Sequence, residues 1–100
     1  MSYGLNESTI ARIQEVLARF EDVQKALLYG SRAKGNYRAG SDIDLTLYGA
    51  GLSLDKLGTI SSELDDLLLP YTIDLSIFER LANPDLREHI ERAGVVFYDR

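Results

Sequence analysis

The sequence predicts an α/β domain in which helices pack on a small mixed β-sheet. Stretches with helical periodicity alternate with short apolar or alternating stretches along the chain, as expected when helices and strands follow one another. Glycine, proline and polar residues separate most of these stretches. The 100 residues suffice for one modest core and are too few for two. We therefore expect a single domain over residues 1–100.

The first helix is expected to follow Asn6, which can cap it. Its apolar residues fall on one helical stripe, formed by Ile10, Ile13, Leu17 and Phe20. Residues 23–29 follow as a short, mostly apolar strand that we expect to be buried on both faces. Gly30 and Ser31 end this strand. The polar, glycine-punctuated residues 31–40 predict one short helical turn and then a loop.

The second strand is predicted at residues 41–48, where apolar and polar side chains alternate. Ser53 is then expected to cap a helix that ends at Pro70. The buried stripe of that helix consists of leucine and isoleucine residues, namely Leu54, Leu57, Ile60, Leu64 and Leu67. Residues 71–78 alternate again and predict a third strand.

The last helix is expected to begin at Asn83 and Pro84, a cap followed by proline in the first turn. It should bury Leu86 and Ile90 and end at Gly94. Residues 95–98 then predict a fourth short strand.

The composition excludes several classes of protein. The chain is 45% hydrophobic and 27% charged, as in ordinary globular proteins. It has no apolar run of membrane length and no signal-like N-terminus, so we expect a cytoplasmic protein without a membrane partner. Without cysteine, thiol catalysis and cysteine zinc sites are excluded, and His89 alone leaves no histidine-rich metal site. The net charge of −5 makes broad attachment to nucleic acid unfavourable.

Charge is concentrated in the segment between the first two predicted strands. Arg32, Lys34 and Arg38 occupy a stretch without acidic residues, directly before Asp42 and Asp44. A local positive patch beside a local negative pair, on an acidic protein, indicates a polyphosphate held with divalent cations.

Three aspartates form the candidate metal site. Asp42 and Asp44 project from one face of their strand, with Cα atoms about 6.5–7 Å apart. This spacing lets them converge on one Mg²⁺ or bridge two ions about 4 Å apart. Asp74 has the same phase in the third strand, and all three would share one patch if the second and third strands pair. Such crowding is costly unless cations neutralise the charge.

The residues before the acids suggest phosphate contact. Gly30 lacks a Cβ atom and lets the backbone approach a phosphate closely. Ser31 offers a hydroxyl and, at the start of a helical turn, free backbone N–H groups. Arg32, Lys34 or Arg38 could offset phosphate charge.

Residues 30–45, GSRAKGNYRAGSDIDL, resemble the signature of the minimal nucleotidyltransferases in the polymerase-beta-like nucleotidyltransferase superfamily. That signature is Gly-Ser, a spacer, Asp-x-Asp and a third aspartate on a later strand. Gly30-Ser31, Asp42-x-Asp44 and Asp74 match it, and the order of elements fits over nearly the whole chain.

The resemblance implies the minimal nucleotidyltransferase fold and Mg²⁺-dependent transfer of a nucleoside monophosphate from a nucleoside triphosphate, here ATP, to a hydroxyl. Many such short proteins are antitoxins that silence a helical HEPN toxin, a ribonuclease, by adenylylating a tyrosine.

The resemblance also assigns roles to individual residues. Asp42 and Asp44 would hold two metal ions, and Asp74 would ligate the second ion and help activate the acceptor hydroxyl. The triphosphate would bind to Gly30, Ser31 and Arg32.

Larger members of the superfamily carry an added domain for the base or the acceptor, and the chain lacks an obvious counterpart. We therefore expect a partner to complete the site, or the chain to work as a dimer. Two alternatives to the adenylylating antitoxin remain. The same fold could neutralise a toxin by occlusion alone, or it could be a stand-alone nucleotidyltransferase for a small molecule. The intact set of three acids favours the enzyme over the occluding protein, and the short chain disfavours the third hypothesis.

Overall fold

Four strands form one mixed sheet in the order β3-β2-β1-β4. The computed structural model describes residues 2–100, and the strands are β1 (Lys25–Tyr29), β2 (Ile43–Tyr48), β3 (Ile73–Ile77) and β4 (Val95–Asp99). β1 pairs antiparallel with both β2 and β4, whereas β2 and β3 are parallel. The predicted fold class, an α/β arrangement with a small mixed sheet, is confirmed.

The helices are α1 (Glu7–Ala18), α2 (Ser31–Lys34), α3 (Leu54–Asp65) and α4 (Pro84–Ala93), with a 3-10 turn at Phe78–Arg80. Each of the three longer helices begins at the cap that the sequence predicts. The side chains of Asn6, Ser53 and Asn83 accept hydrogen bonds from backbone N–H groups in the first turns. Within residues 2–100, no helix is long and apolar enough to cross a membrane.

The end of α3 differs from the prediction. The helix stops at Asp65, well before Pro70, and Asp66 caps it. Leu68 has a left-handed φ of 54° and is 87% exposed, and such a conformation cannot continue a right-handed helix. The prediction that Pro70 ends the helix was therefore wrong, because the chain leaves the helix before it reaches the proline.

The main core lies on one face of the sheet, under α1 and α3. Ile43, Leu45 and Leu47 of β2 point to this face and are fully buried. They belong to one cluster with residues of both helices, including Ile13 and Leu17 of α1 and Ile60 and Leu64 of α3. Each such side chain contributes about 1.5–3 kcal/mol when it leaves water.

The opposite face of the sheet, called here the site face, carries the alternate residues Asp44, Thr46 and Tyr48 of β2. Helix α4 covers one end of it through a smaller cluster of Leu27, Phe78 and Ile90. The rings of Tyr48 and Phe78 stack there, with centroids 4.7 Å apart. The other end of the site face carries the aspartates.

Candidate active site

Asp44 and Asp74 are register partners on the parallel strands β2 and β3. Neighbouring strands lie about 4.8 Å apart, so the two carboxylates project side by side from the site face. Burial raises the pKa of the Asp44 carboxyl, and the negative charges of Asp74 and Asp42 raise it further. The ionised form of Asp44 is thus disfavoured by its surroundings, and a bound cation would reverse this.

Asp42 directly precedes β2 and is exposed to solvent. The next residue, Ile43, donates its N–H to the carbonyl of Thr72 at 2.9 Å, which ties this end of β2 to the chain before β3. The ion pairs formed within residues 2–100 join other residues, so none of the three aspartates has a cationic side chain bridged to it.

The three carboxylates do not converge in the side-chain positions of the structure. Among residues 2–100, no group of three acidic or histidine side chains is close enough to hold a metal ion as it stands. The register of β2 and β3 places Asp44 and Asp74 side by side, whereas Asp42 lies just before the start of β2. The donor set still fits Mg²⁺, because it consists of carboxylate oxygens with uncompensated charge. Asp42 and Asp74 are exposed and have room to rotate toward a shared ion.

Gly30, directly after β1, lets the backbone pass close to the Asp44 carboxylate. Its φ of 77° lies in the region that favours glycine. A Cβ atom at this position would also collide with the Asp44 carboxylate. The turn that the sequence assigns to phosphate contact therefore lies directly against the acids.

Ser31 begins the short helix α2, which closes through hydrogen bonds from Lys34 N–H to the Gly30 carbonyl at 3.1 Å and from Gly35 N–H to the Ser31 carbonyl at 2.9 Å. Lys34 and Arg38 are exposed in the segment that follows Ser31. Of the three basic residues of this segment, Lys34 and Arg38 are therefore the ones available to an anion in solvent.

Arg32 does not fit its predicted contact with phosphate. Its side chain is only 1% exposed. All three guanidinium nitrogens donate to backbone carbonyls, those of Tyr3, Ala39 and Ser41. We correct the expectation accordingly: the positive charge points into the protein, where it cannot meet a triphosphate.

Three hydroxyl groups near the acids were missed by the sequence analysis. Tyr29 is the register partner of Asp44 on β1. Burial raises the pKa of the Tyr29 phenol, the adjacent Ser76 hydroxyl acts against this, and the charges of Asp44 and Asp74 add to the rise. Ser76 and Thr46 are register partners, and within residues 2–100 neither of their buried hydroxyl oxygens has a partner at hydrogen-bond geometry. The Ser76 hydroxyl is thus close enough to Tyr29 to affect its pKa without a well-formed hydrogen bond. Strand phase could have found them, since Thr46 and Ser76 each follow an acid by two residues.

A separate groove of about 460 Å³ lies between α1 and β4 and is lined by residues such as Gln14 and Tyr98. It contains none of the residues assigned to the active site. The acids lie two and three strands away from β4 in the sheet, on β2 and β3 respectively.

Residues 11–100 match the family described as "Polymerase beta, Nucleotidyltransferase". The chain therefore belongs to this family of nucleotidyltransferases, and the resemblance based on the Gly-Ser and Asp-x-Asp motif is confirmed. No curated protein matches the sequence significantly.

Solved structures show the same fold. A chain from a crystal structure of a toxin–antitoxin complex with AMP-PNP is 23% identical, with a TM-score of 0.72 over 96% of this chain and 75% of that one. A structure of the tri-AMPylated Shewanella oneidensis HEPN toxin with its MNT antitoxin gives 18% identity and a TM-score of 0.71, over 96% and 74% of the two chains. A Sulfolobus solfataricus protein described as a nucleotidyltransferase gives 18% identity and 0.56, over 100% and 90%. At these identities the likeness concerns the fold, which is that of the minimal nucleotidyltransferases.

Proposed function

We propose that this chain is a Mg²⁺-dependent nucleotidyltransferase of the cytoplasm and the antitoxin of a HEPN-type toxin. It transfers AMP from ATP to a tyrosine of that toxin. The observation that carries the proposal is the in-register pair Asp44 and Asp74, placed against the Gly30-Ser31 turn. Two neighbouring carboxylates beside an open turn provide cation ligands and a phosphate contact in one place.

The roles proposed for the acidic residues are those that the resemblance to the minimal nucleotidyltransferases implies. Asp42 and Asp44 would hold two Mg²⁺ ions, and Asp74 would ligate the second. When bound, the ions supply positive charge that stabilises the phosphates during transfer. Asp74 is exposed and lies at the outer edge of the sheet, so it faces an acceptor that approaches from solvent and can receive or orient its proton.

The triphosphate would lie along the turn that follows β1. Gly30 allows close approach of the backbone, and Ser31 contributes its hydroxyl. Lys34 and Arg38, which are exposed, replace Arg32 as the residues that would offset phosphate charge.

The reaction forms one bond and breaks one. The tyrosine oxygen attacks the α-phosphorus of ATP, and the bond from that phosphorus to the oxygen bridging the α- and β-phosphates breaks. Pyrophosphate leaves with the bonding electrons, and the phenolic proton passes to Asp74 or to solvent. Tyrosine suits this role because its pKa of about 10 makes its hydroxyl easier to ionise than that of serine.

The partner is inferred from the complexes in which chains of similar fold have been solved. Two of the structures described above are toxin–antitoxin complexes, one of them with AMP-PNP and one with an AMPylated toxin. The exposed end of the site face leaves the acids accessible to such a partner.

The test is intact-mass spectrometry of a HEPN-type toxin after incubation with the chain, ATP and Mg²⁺, the toxin being sought among the products of the neighbouring genes. We expect the mass of that protein to increase by one or more AMP groups. Asp44→Asn should abolish the increase. Asp99→Asn is the matched control, because Asp99 is an exposed aspartate on β4, two strands from β2.

The outcomes separate the remaining hypotheses. Neutralisation of the toxin that survives Asp44→Asn, without any AMP increment in the wild type, would show an occluding protein. An increment found only on small hydroxyl compounds would show a stand-alone transferase.

A further inference from the structure

Within residues 2–100, Arg32 is a buried positive charge without an acidic partner. Its side chain is 1% exposed, and the ion pairs found within residues 2–100 do not include it. Burying an unpaired charge is costly unless hydrogen bonds replace the lost water. A sequence that retains such a charge therefore gains something from the contacts it makes.

Those contacts converge on the residue before Asp42. Two nitrogens of Arg32, Nε and Nη2, donate to the Ser41 carbonyl at 3.1 and 2.9 Å. The N–H of Ser41 donates to the Arg38 carbonyl at 3.0 Å, and its hydroxyl accepts from the N–H of Arg38 at 2.8 Å. Every polar group of Ser41 is thus engaged.

Further contacts with three tyrosine residues hold the guanidinium of Arg32 in position. Nη1 donates to the carbonyl of Tyr3 at 2.9 Å. The rings of Tyr37 and Tyr71 flank the group, with centroids 5.4 and 4.8 Å from its central carbon. Cations over aromatic faces are stabilised by the ring quadrupole. The guanidinium is therefore held by parts of the chain before α1, in the loop before β2 and before β3.

We propose that Arg32 is a positioning residue that sets the backbone of Asp42 and thereby the affinity of the acids for divalent metal. The Ser41 carbonyl and the Asp42 N–H belong to the same planar peptide. Ile43, on the other side, is tied to Thr72. Asp42 is exposed, yet its backbone is held at both ends. This proposal rests on the metal-binding role given above to the three aspartates.

Lysine cannot replace arginine in this arrangement. The planar guanidinium reaches one carbonyl with two nitrogens while a third points to Tyr3. An ammonium group is a compact point charge without this fork. Arg32→Lys therefore preserves the positive charge and loses the forked hydrogen bonds. The variant thus separates the contribution of the charge from that of the hydrogen bonds.

The experiment is a Mn²⁺ titration of the full chain, followed by electron paramagnetic resonance in the presence of AMP-PNP. Residues that orient metal ligands typically change metal affinity by about 10–100-fold. We expect Arg32→Lys to weaken Mn²⁺ binding by about tenfold, at the lower end of that range. Val16→Ala is the stability control: Val16 is a buried residue of α1 in the main core, on the face of the sheet opposite Asp44, and its loss should leave Mn²⁺ affinity unchanged.

A double-mutant cycle tests whether the effect passes through Asp42. In the Asp42→Asn background, Arg32→Lys should change Mn²⁺ affinity by less than about twofold, since coupled residues are non-additive. An undiminished tenfold effect in that background, or an equal loss in Val16→Ala, would overturn the proposal. If Arg32→Lys does not fold, Tyr37→Leu takes its place in the same cycle: it removes a ring that holds the guanidinium in position. We then expect a smaller loss of Mn²⁺ affinity that disappears in the Asp42→Asn background, and an unchanged affinity would overturn the proposal.

The titration needs no acceptor, so it distinguishes two kinds of failure. Tight Mn²⁺ binding that Arg32→Lys weakens, without AMP transfer to any toxin, refutes the proposed function and supports the role of Arg32. Transfer that Arg32→Lys leaves intact, with unchanged Mn²⁺ affinity, does the reverse. A wild-type protein that binds no Mn²⁺ would refute both.

Discussion

The two ends of the site face are built from the same strands and differ in what covers them. At the apolar end, Tyr48 stacks on Phe78, and Ile90 of α4 closes the cluster. At the acid end, Asp44 and Asp74 pair without a covering helix. One end contributes to stability through burial, and the other carries uncompensated charge at some cost to stability. The site face thus carries both the aspartates and a stabilising apolar cluster, at different positions along the same strands.

The largest expected effect comes from breaking the apolar end. Ile90→Ala removes a side chain that is 1% exposed, and such truncations cost about 2–5 kcal/mol in the free energy of unfolding. Urea denaturation measures this loss. Glu91→Ala, at the exposed neighbouring position of α4, should stay within about 0.5 kcal/mol of the wild type.

The Mn²⁺ affinity of the folded Ile90→Ala protein should stay close to that of the wild type, because Ile90 packs in an apolar cluster that reaches the acid end only through Tyr29, the register partner of Asp44. A weakened affinity would contradict the separation of the two ends.

A smaller loss of stability is expected from Gly30→Ala, at the point where the backbone passes close to Asp44. Gly30→Ala places a Cβ atom against the Asp44 carboxylate and forces alanine to a φ of 77°. Gly35→Ala is the control for an added methyl group at a positive φ: its φ is 89°, and within residues 2–100 no atom lies within 4 Å of the added Cβ. Gly35 is in the αL region, whereas Gly30 has a ψ of −155°, where alanine is strained further. Gly35→Ala should therefore cost only the strain of a positive φ, about 1–2 kcal/mol.

Thermal unfolding should show a larger loss for Gly30→Ala than for Gly35→Ala, and only Gly30→Ala should impair Mn²⁺ binding. Equal losses in both variants would show that the contact with Asp44 is unimportant.

The smallest expected effect is that of Asp44→Asn, which should leave the stability unchanged or raise it slightly. The folded-state pKa of Asp44 is raised by burial and by the charges of Asp74 and Asp42, so the folded protein binds this proton more tightly than the unfolded chain does. Its stability therefore falls as the pH rises from the unfolded value of about 3.9 through the folded value. Asparagine has no such penalty. In metal-free buffer at pH 7, Asp44→Asn should melt at the same temperature as the wild type or slightly higher.

The advantage of Asp44→Asn should shrink as the pH falls through about 4 and vanish below it, where the wild-type carboxyl becomes protonated in both states. Melting curves at the two pH values measure this, with Asp99→Asn as the control for the loss of one negative charge. A clear drop in melting temperature at pH 7 would mean that Asp44 is a structural ion-pair residue.

The sequence predicted which side chains share a face of the sheet more successfully than which part of that face a helix covers. Alternation in β2 and β3 placed Asp44 and Asp74 on one face, because a period of two leaves no other choice. Their adjacency depended on strand pairing, which the sequence left conditional and the structure supplies. Nothing in the local pattern indicates which end of that face α4 covers, since this depends on contacts between distant parts of the chain.

Arg32 shows a second limit. An arginine in a polar loop beside a candidate phosphate site is compatible with either an exposed or a buried guanidinium. Its contacts include Tyr3 and Tyr71, which are distant in sequence. Their approach is a property of the assembled fold, so the loop sequence alone could not reveal the buried arrangement.

The parallel pairing of β2 and β3 has a consequence for synthesis on the ribosome. β1 and β2 can pair as soon as both have emerged, with Asp42 and Asp44 already present, whereas Asp74 must await the crossover through α3. At about 5–20 residues per second, two of the acids precede the third by a few seconds. Any chemistry that requires all three acids therefore begins only after translation has passed β3 and this strand has joined the sheet.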